Sequence, residues 1–339
     1  MKLSILVVGG AGYIGSHMCQ MLLQHGHKVT VFDNFSRGHR DATLSAEVVE
    51  GDIRSDEDLT RCFSHHKFDV VMHFAALAYV GESVKEPALY YENNVLGSFR
   101  LLNAMQNAGI NKLVFSSTCA TYGEPLERPI TEQHSQLPVN PYGKTKLMVE
   151  QVLSDYAVAY DLNSISLRYF NAAGCDPTGL LGERHEPETH LIPLILEEAL
   201  RIINGGVQAH TKLMVFGDDF PTIDGTCIRD YIHVQDLCSA HLNAVERLMT
   251  TKNIRAEAYN LGNGKGYSVL EVIEACRRVT GVDIRYNISP RRPGDPAWLV
   301  GSAEKAKSIL GWQPKISGID DIVSTAWNWI QAREASGTQ

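Results

Sequence analysis

Apolar residues along the first half of the chain fall into two alternating textures. Short, mostly continuous runs rich in β-branched residues occur at LSILVV (3–8), KVTVFD (28–33), AEVVEGD (46–52), FDVVMHF (68–74), KLVFSS (112–117) and SISLRYF (164–170). Continuous rather than alternating hydrophobicity is what a strand buried on both faces requires. Between these runs, IGSHMCQMLLQHG (14–26) and ALYYENNVLGSFRLLNAMQNAG (88–109) predict helices, ending at Gly26 and Gly109 in the position that favours a left-handed cap. The β-α-β-α alternation predicts an α/β fold built on a doubly wound parallel sheet, whose ligands bind outside the carboxyl ends of the strands.

From about Cys175 the texture changes. Gly, Pro, His and charged residues dominate 174–190 and 217–231, with helices expected at 192–204, 235–249 and 268–280 and short strands between. The expected organisation is a first domain over residues 1–174. Residues 175–339 are expected to form mainly a smaller α/β substrate-binding lobe, with some segments returning to the first domain. A chain of 339 residues exceeds what one core usually supports.

Composition narrows the function classes. Hydrophobic residues are 44% and charged residues 21%, ordinary for a soluble globular protein. A net charge of −8 disfavours nucleic acid or an anionic membrane as the main partner. The seven cysteines (19, 62, 119, 175, 227, 238, 276) are scattered singly, which argues against a disulfide framework and a structural zinc site. No metal is expected, and a reducing cytoplasm fits. The chain starts Met1-Lys2, and the apolar run Leu3–Val8 is too short for a signal h-region or a membrane span.

The sequence GGAGYIG places Gly9, Gly12 and Gly15 between an expected strand and an expected helix. Glycines there let the backbone approach a pyrophosphate, and the helix N-terminus supplies N–H donors and positive potential. Asp33 ends the second strand, where a carboxylate accepts hydrogen bonds from a ribose diol and repels a 2′-phosphate, so NAD is expected over NADP. This is a Rossmann-type site, and Tyr13, Ile14 and Asn34 are counted with it. Asp52 and Ile53 are expected at the adenine end, and Phe74, Ala75 and Ala76 beneath the dinucleotide.

Residues 139–146 read VNPYGKTK. Asn140 suits a helix cap and Pro141 the first helical position, which puts Tyr142 and Lys146 on one helical face. Strand five ends in Ser116, Ser117 and Thr118 at the same sheet edge. A strand-tip hydroxyl, a Tyr and a Lys one turn further make a constellation for alcohol oxidation. A nearby Lys⁺ and an oxidised nicotinamide favour the phenolate, which can take a proton while hydride leaves the carbon.

With these motifs in place, the sequence resembles the extended short-chain dehydrogenase/reductase superfamily and, within it, the UDP-glucose 4-epimerase family. The resemblance spans residues 2–332 through VVGGAGYIGSH, FDN, GDIRS, HFAA, VGESV, YYENNV, FSST, YGE, NPYGKTKLMVE, LRYFNAAG, THLIP, DGTCIRDYIHV, YNLG and RRPGDP, in the family's order. It implies that Tyr142 is the acid/base, Lys146 its partner and ribose ligand, and Thr118 the hydroxyl aide. It also implies that Asn93 and Ser116 touch the cofactor, that Val80 and Ser83 border the sugar, and that Tyr169 helps position sugar and cofactor. Asn171, His190, Leu191, Phe216, Arg229, Tyr231, Arg292 and Asp295 are implied around a uridine diphosphate, with Leu299 near the hexose. The implied reaction oxidises C4 of a UDP-hexose to a 4-keto sugar, turns the sugar about its diphosphate link and reduces it from the other face, with NAD staying bound. Homodimers through 88–109 and 141–159 are implied as well.

Three departures matter. Ala78 stands where the family often has Lys, and His190 where some members have Asn. Leu299, or Trp298 one place before it, occupies a position where a bulky residue restricts the family to UDP-glucose and UDP-galactose and a small one admits N-acetylated sugars. Thr118-Cys119-Ala120 lacks the acid and base that a nucleotide-sugar dehydratase needs. A uronic-acid decarboxylase lacks identifiable pocket groups, and a silent NAD sensor would typically lose Tyr142 or Lys146.

Overall fold

The computed structural model describes residues 2–205, 211–292 and 294–336. Seven parallel strands form the main sheet: β1 (Ser4–Val8), β2 (Lys28–Asp33), β3 (Glu47–Glu50), β4 (Val70–His73), β5 (Lys112–Thr118), β6 (Asn163–Tyr169) and, much later in the chain, Ala256–Leu261. The strand order from one edge is Ala256–Leu261, β6, β5, β4, β1, β2, β3. The chain therefore starts in the middle, winds out to β3, and crosses back to β4 on the other side of β1. That reversal opens a crevice beyond the carboxyl ends of β1 and β4, the place where doubly wound sheets bind ligands.

Both faces of the sheet are buried, as the continuous apolar runs require. Along β1, Ile5 and Val7 join a core with Met18, Leu22, Leu237 and Val245, whereas Leu6 and Val8 face Phe32, Leu101, Val149 and Leu153. The period of two in strand side chains thus feeds two separate cores. The helices Tyr13–Gln24 and Val234–Thr250 cover one face, and Asp56–His65, Gly97–Asn107 and Pro141–Ala159 the other. Gly26 and Gly109 adopt φ of +77° and +71°, and the next residues donate back to Leu22 and Met105, so the caps form as expected.

The second region is built around Ile228–His233. That strand pairs in parallel with Asn171–Ala173 and Trp298–Leu299 and antiparallel with Gly266–Ser268. Its core is formed by Tyr231 of that strand with Ile192, Ile195, Leu196, Ile273, Ile322, Val323 and Trp327 from three surrounding helices. Between Tyr91 and Leu96 the expected 88–109 helix opens into one wide, π-type turn before resuming at Gly97. Such turns re-aim side chains and cluster at functional sites. Here the turn carries Asn93 and Asn94.

Candidate active site

The crevice is a groove lined by Gly9, Gly12, Phe32, Asp33, Asn34, Gly51, Ile53, Phe74, Ala75, Ala76 and Asn93, together with 36–38 and Leu77. Nine of the sequence-predicted cofactor residues are in that lining. The glycines are there for steric reasons. A Cβ on Gly9 would meet the Ala75 nitrogen at 2.4 Å, and one on Gly15 would meet the Gly9 carbonyl oxygen at 2.1 Å. At Gly12 the nearest atom would be 3.6 Å away, so that missing side chain instead keeps the groove floor open.

Gly12 precedes the Tyr13–Gln24 helix with no side-chain cap and no acidic residue in the first turn. The helix start therefore turns unpaired N–H groups toward the groove, which suits a pyrophosphate. The Tyr13 and Ile14 side chains are engaged elsewhere. The Tyr13 hydroxyl donates to the Gly174 carbonyl at 2.5 Å, and Ile14 packs on the core.

Asp33 accepts N–H bonds from Ala11 (2.9 Å) and Phe35 (2.8 Å), while burial raises its pKa. Arg37 also lines the groove, but its guanidinium is engaged by Glu82 (2.8 Å) and the Glu186 carbonyl (2.9 Å). A carboxylate at the groove end and a committed arginine fit a free ribose diol better than a 2′-phosphate. Asp52 is held by its neighbours: Arg54 donates to both its oxygens and Asn34 to one, and these partners hold its carboxyl well below the usual range. Gly51 and Ile53, on either side of it, line the groove.

The reacting groups meet where β5 ends. Asn140 caps its helix by accepting from the Gly143 N–H (2.8 Å), and Pro141 takes the first helical position. Tyr142 and Lys146 are both buried. Burial pushes the Tyr142 phenol well above its usual value, and the neighbouring Thr118 hydroxyl pulls it the other way. Lys146 donates to the Ser116 carbonyl at 2.7 Å and sits 4.8 Å over the Phe115 ring. Burial lowers its pKa to about 7. The Ser116 and Tyr169 hydroxyls hydrogen-bond each other at 2.6 Å beside them, away from the groove lining.

The depressed Lys146 fixes a pH dependence. Between about pH 7 and 10.5 the unfolded chain holds a proton on this amine that the folded chain does not, so folded stability rises with pH through that window. Below pH 7 the full cost of burying the charge is present. Lys146→Met should therefore stabilise the protein more at pH 6 than at pH 9, by about 3 kcal/mol. Chemical denaturation of both proteins at the two pH values checks this, and an equal effect at both would refute it.

Two features were not read from sequence. Asn94 accepts from Leu77 N–H (2.9 Å), donates to the Leu77 carbonyl (2.9 Å) and reaches Thr145 (3.2 Å), clamping the loop after β4 to the Tyr142 helix. Glu150, one turn after Lys146, accepts from the Ser117 hydroxyl and from both ends of the Arg168 fork. Arg168 continues to the Tyr122 hydroxyl (2.9 Å), which donates to Asn260 (2.7 Å). This buried chain fixes the helix against β5, β6 and the Ala256–Leu261 strand.

Residues of the second region gather as a cationic patch. Arg292 donates to Asp295 (3.1 Å) and lies 4.7 Å over the Phe216 ring, and Arg229 approaches the same carboxylate at 3.5 Å. Asn171 donates to the Asp230 carbonyl (3.2 Å). Tyr231 is instead buried in the second core. Leu299 packs on Cys119, Tyr122, Ile130 and Phe170, next to the Thr118 tip, whereas Trp298 carries Arg128 4.8 Å over its ring. Val80 is exposed, and the buried Ser83 gives its hydroxyl to the Val80 carbonyl (2.7 Å). His190 precedes the Leu191–Ile203 helix, which has no side-chain cap, and its Nδ1 is taken by Glu183.

A family model described as NAD dependent epimerase/dehydratase matches residues 5–262. The chain belongs to that family. A UDP-glucose 4-epimerase of Halalkalibacterium halodurans is 52% identical over 327 residues, covering 96% of this chain and 95% of the relative. A UDP-glucose 4-epimerase from Bifidobacterium longum, solved with NAD+ and UDP, superposes with a TM-score of 0.90 at 38% identity, covering 98% of this chain and 99% of that one. A UDP-Glc/GlcNAc 4-epimerase from Campylobacter jejuni superposes with a TM-score of 0.81 at 41% identity, covering 97% and 99%. The epimerase/dehydratase family thus matches the sequence resemblance and the parallel-sheet architecture.

Proposed function

We propose that this chain interconverts UDP-galactose and UDP-glucose by epimerising C4 with tightly held NAD. The observation that carries the proposal is the juxtaposition of buried Tyr142, Thr118 and Lys146 at the tip of β5, on the same carboxyl edge of the sheet as the glycine-lined groove. Bound NAD supplies reversible hydride transfer. Gly9, Gly12 and the first N–H groups of the Tyr13–Gln24 helix hold its diphosphate, Asp33 a ribose diol, and Lys146 the other ribose. Tyr142 takes the proton from the C4 hydroxyl as the sugar is oxidised and returns it on reduction, while Thr118 steadies that oxygen.

The same group must act on either face of C4, so the hexose has to turn while UDP stays anchored. Phe216, Arg229, Arg292 and Asn171 supply that anchor, and arginine suits it because its fork pairs with two phosphate oxygens. The uncapped start of the Leu191–Ile203 helix adds N–H donors for the diphosphate. Purified protein with no added cofactor should convert UDP-galactose to UDP-glucose, and stoichiometric release of free NADH would identify a dehydrogenase instead.

Sugar size is decided beside Leu299. A single side chain in a pocket separates two substrates by about 1–3 kcal/mol. UDP-glucose should therefore be preferred over UDP-N-acetylglucosamine by about 10-fold or more in kcat/KM. Equal rates would favour the dual-specificity reading, which the Campylobacter jejuni relative motivates. We place the protein in the cytoplasm, in keeping with seven free, buried cysteines. No helix among the described residues is long and apolar enough to cross a membrane. Exposed Leu96, Phe99, Met148 and Val158 on the two helical segments support a homodimer.

A further inference from the structure

Glu183, His185, Glu188 and His190 lie in one short loop, GERHEPETH, beside the cofactor groove but outside its lining. One donor atom from each comes within 4.8 Å of all the others. His185 Nδ1 is 3.1 Å from Glu183 Oε1 and 3.7 Å from Glu188 Oε2, and His190 Nδ1 is 3.9 Å from Glu188 Oε1 and against Glu183 Oε1. A tetrahedral ion with bonds of 2.0–2.2 Å needs donors about 3.4 Å apart. The two spacings of His185 Nδ1, 3.1 Å to Glu183 Oε1 and 3.7 Å to Glu188 Oε2, lie on either side of that value.

The donors are also oriented as a site. Both imidazoles present Nδ1 to the same carboxylate, and the Glu183 and Glu188 side chains are only 5% and 8% exposed. His185 Nδ1 is enclosed and lacks an aligned hydrogen bond even at 3.1 Å from its neighbour. Glu188 is fixed by the N–H groups of Thr189 (2.7 Å) and His190 (2.8 Å), which leaves Oε2 to face His185. Tyr79 and Tyr13 stand edge-on to the His185 ring at 5.9 and 6.2 Å and shield it.

We propose that this loop binds one divalent transition-metal ion, through Glu183, His185, Glu188 and His190. Two imidazole nitrogens and two carboxylate oxygens select zinc-like cations over magnesium or calcium, which prefer all-oxygen shells. The position gives the ion a structural role. Arg37 donates to the Glu186 carbonyl (2.9 Å) and Arg184 pairs with Asp41 (2.7 Å), so the loop straps the segment that carries the groove wall at 36–38. A bound ion would stiffen that strap.

The test uses the full chain as purified, treated with chelator and then titrated with Zn²⁺ and, separately, Co²⁺. One equivalent of zinc should survive gel filtration, raise the unfolding midpoint, and be replaceable by cobalt with the visible absorption of a tetrahedral site. His185→Ala and the near-isosteric Glu188→Gln should each weaken binding at least ~10-fold, the scale set by even outer-shell losses. His65→Ala, in an exposed part of the molecule, should not. Circular dichroism confirms that each variant is folded, and Glu188→Gln carries the test if His185→Ala is not. Zinc lost on gel filtration, or retained equally by the loop variants, would overturn the proposal and leave the loop held by its histidine–carboxylate contacts alone.

Discussion

Tyr142→Phe is expected to keep its bound NAD and its unfolding midpoint while turnover falls by at least ~10², the scale of a lost general base. The substitution removes one oxygen from a buried ring and leaves the helix cap at Asn140 and the Lys146 bond to Ser116 untouched. Burial holds the phenol protonated, so its use as a base depends on positive charge alongside. Lys146, four residues on, supplies that charge only below about pH 7, because burial pushes it down to about 7, and the oxidised nicotinamide of bound NAD would supply it above. Cofactor absorbance and turnover, measured on the same sample, separate the chemical loss from a folding loss. Near-normal activity would mean that another group carries the proton.

The second large effect concerns the support behind that pair. Arg168 and Glu150 are 7% and 8% exposed in their side chains, and Arg168→Met leaves the Glu150 carboxylate buried without its partner. Breaking a buried pair from one side costs about 3–5 kcal/mol. The double variant Arg168→Met/Glu150→Gln removes the stranded charge and should recover most of the loss, because a buried pair adds little over a neutral replacement. Denaturant midpoints of the wild type, both single variants and the double variant read this directly. A double variant as unstable as Arg168→Met alone would show that the network matters through shape and not through charge.

Strands β2 and β5 and the helix over 141–159 were legible from short-range pattern alone, because their limits are set by local residues: Asp33, Thr118, Asn140 and Pro141. The glycine turn, Asp33, Thr118, Tyr142 and Lys146 were legible for a related reason. Each chemical role there demands a residue type at a fixed offset from a strand end. What escaped were backbone and side-chain details that the apolar pattern does not carry. The wide turn at Tyr91–Leu96 leaves the apolar period of 88–109 almost unbroken, so that segment reads as one helix. The bonds that Arg54 and Asn34 give the Asp52 carboxylate are likewise not announced by its place after β3.

Ser83 and Tyr231 have partners that their motif positions do not announce: the Ser83 hydroxyl donates to the Val80 carbonyl inside its own helix, and Tyr231 packs in the second core. The Glu-x-His-x-x-Glu-x-His spacing of 183–190 was visible throughout, but it carries meaning only when the loop brings the four donors together.

The central claim is that the hydrogen taken from C4 stays in the site and returns to the same carbon. UDP-galactose deuterated at C4, converted in ordinary water with unlabelled NADH present, tests it most directly. The UDP-glucose formed should keep its deuterium at C4, as mass and proton spectra of the product will show. Deuterium lost to water, or replaced at C4 by hydrogen from the NADH in solution, would contradict the account.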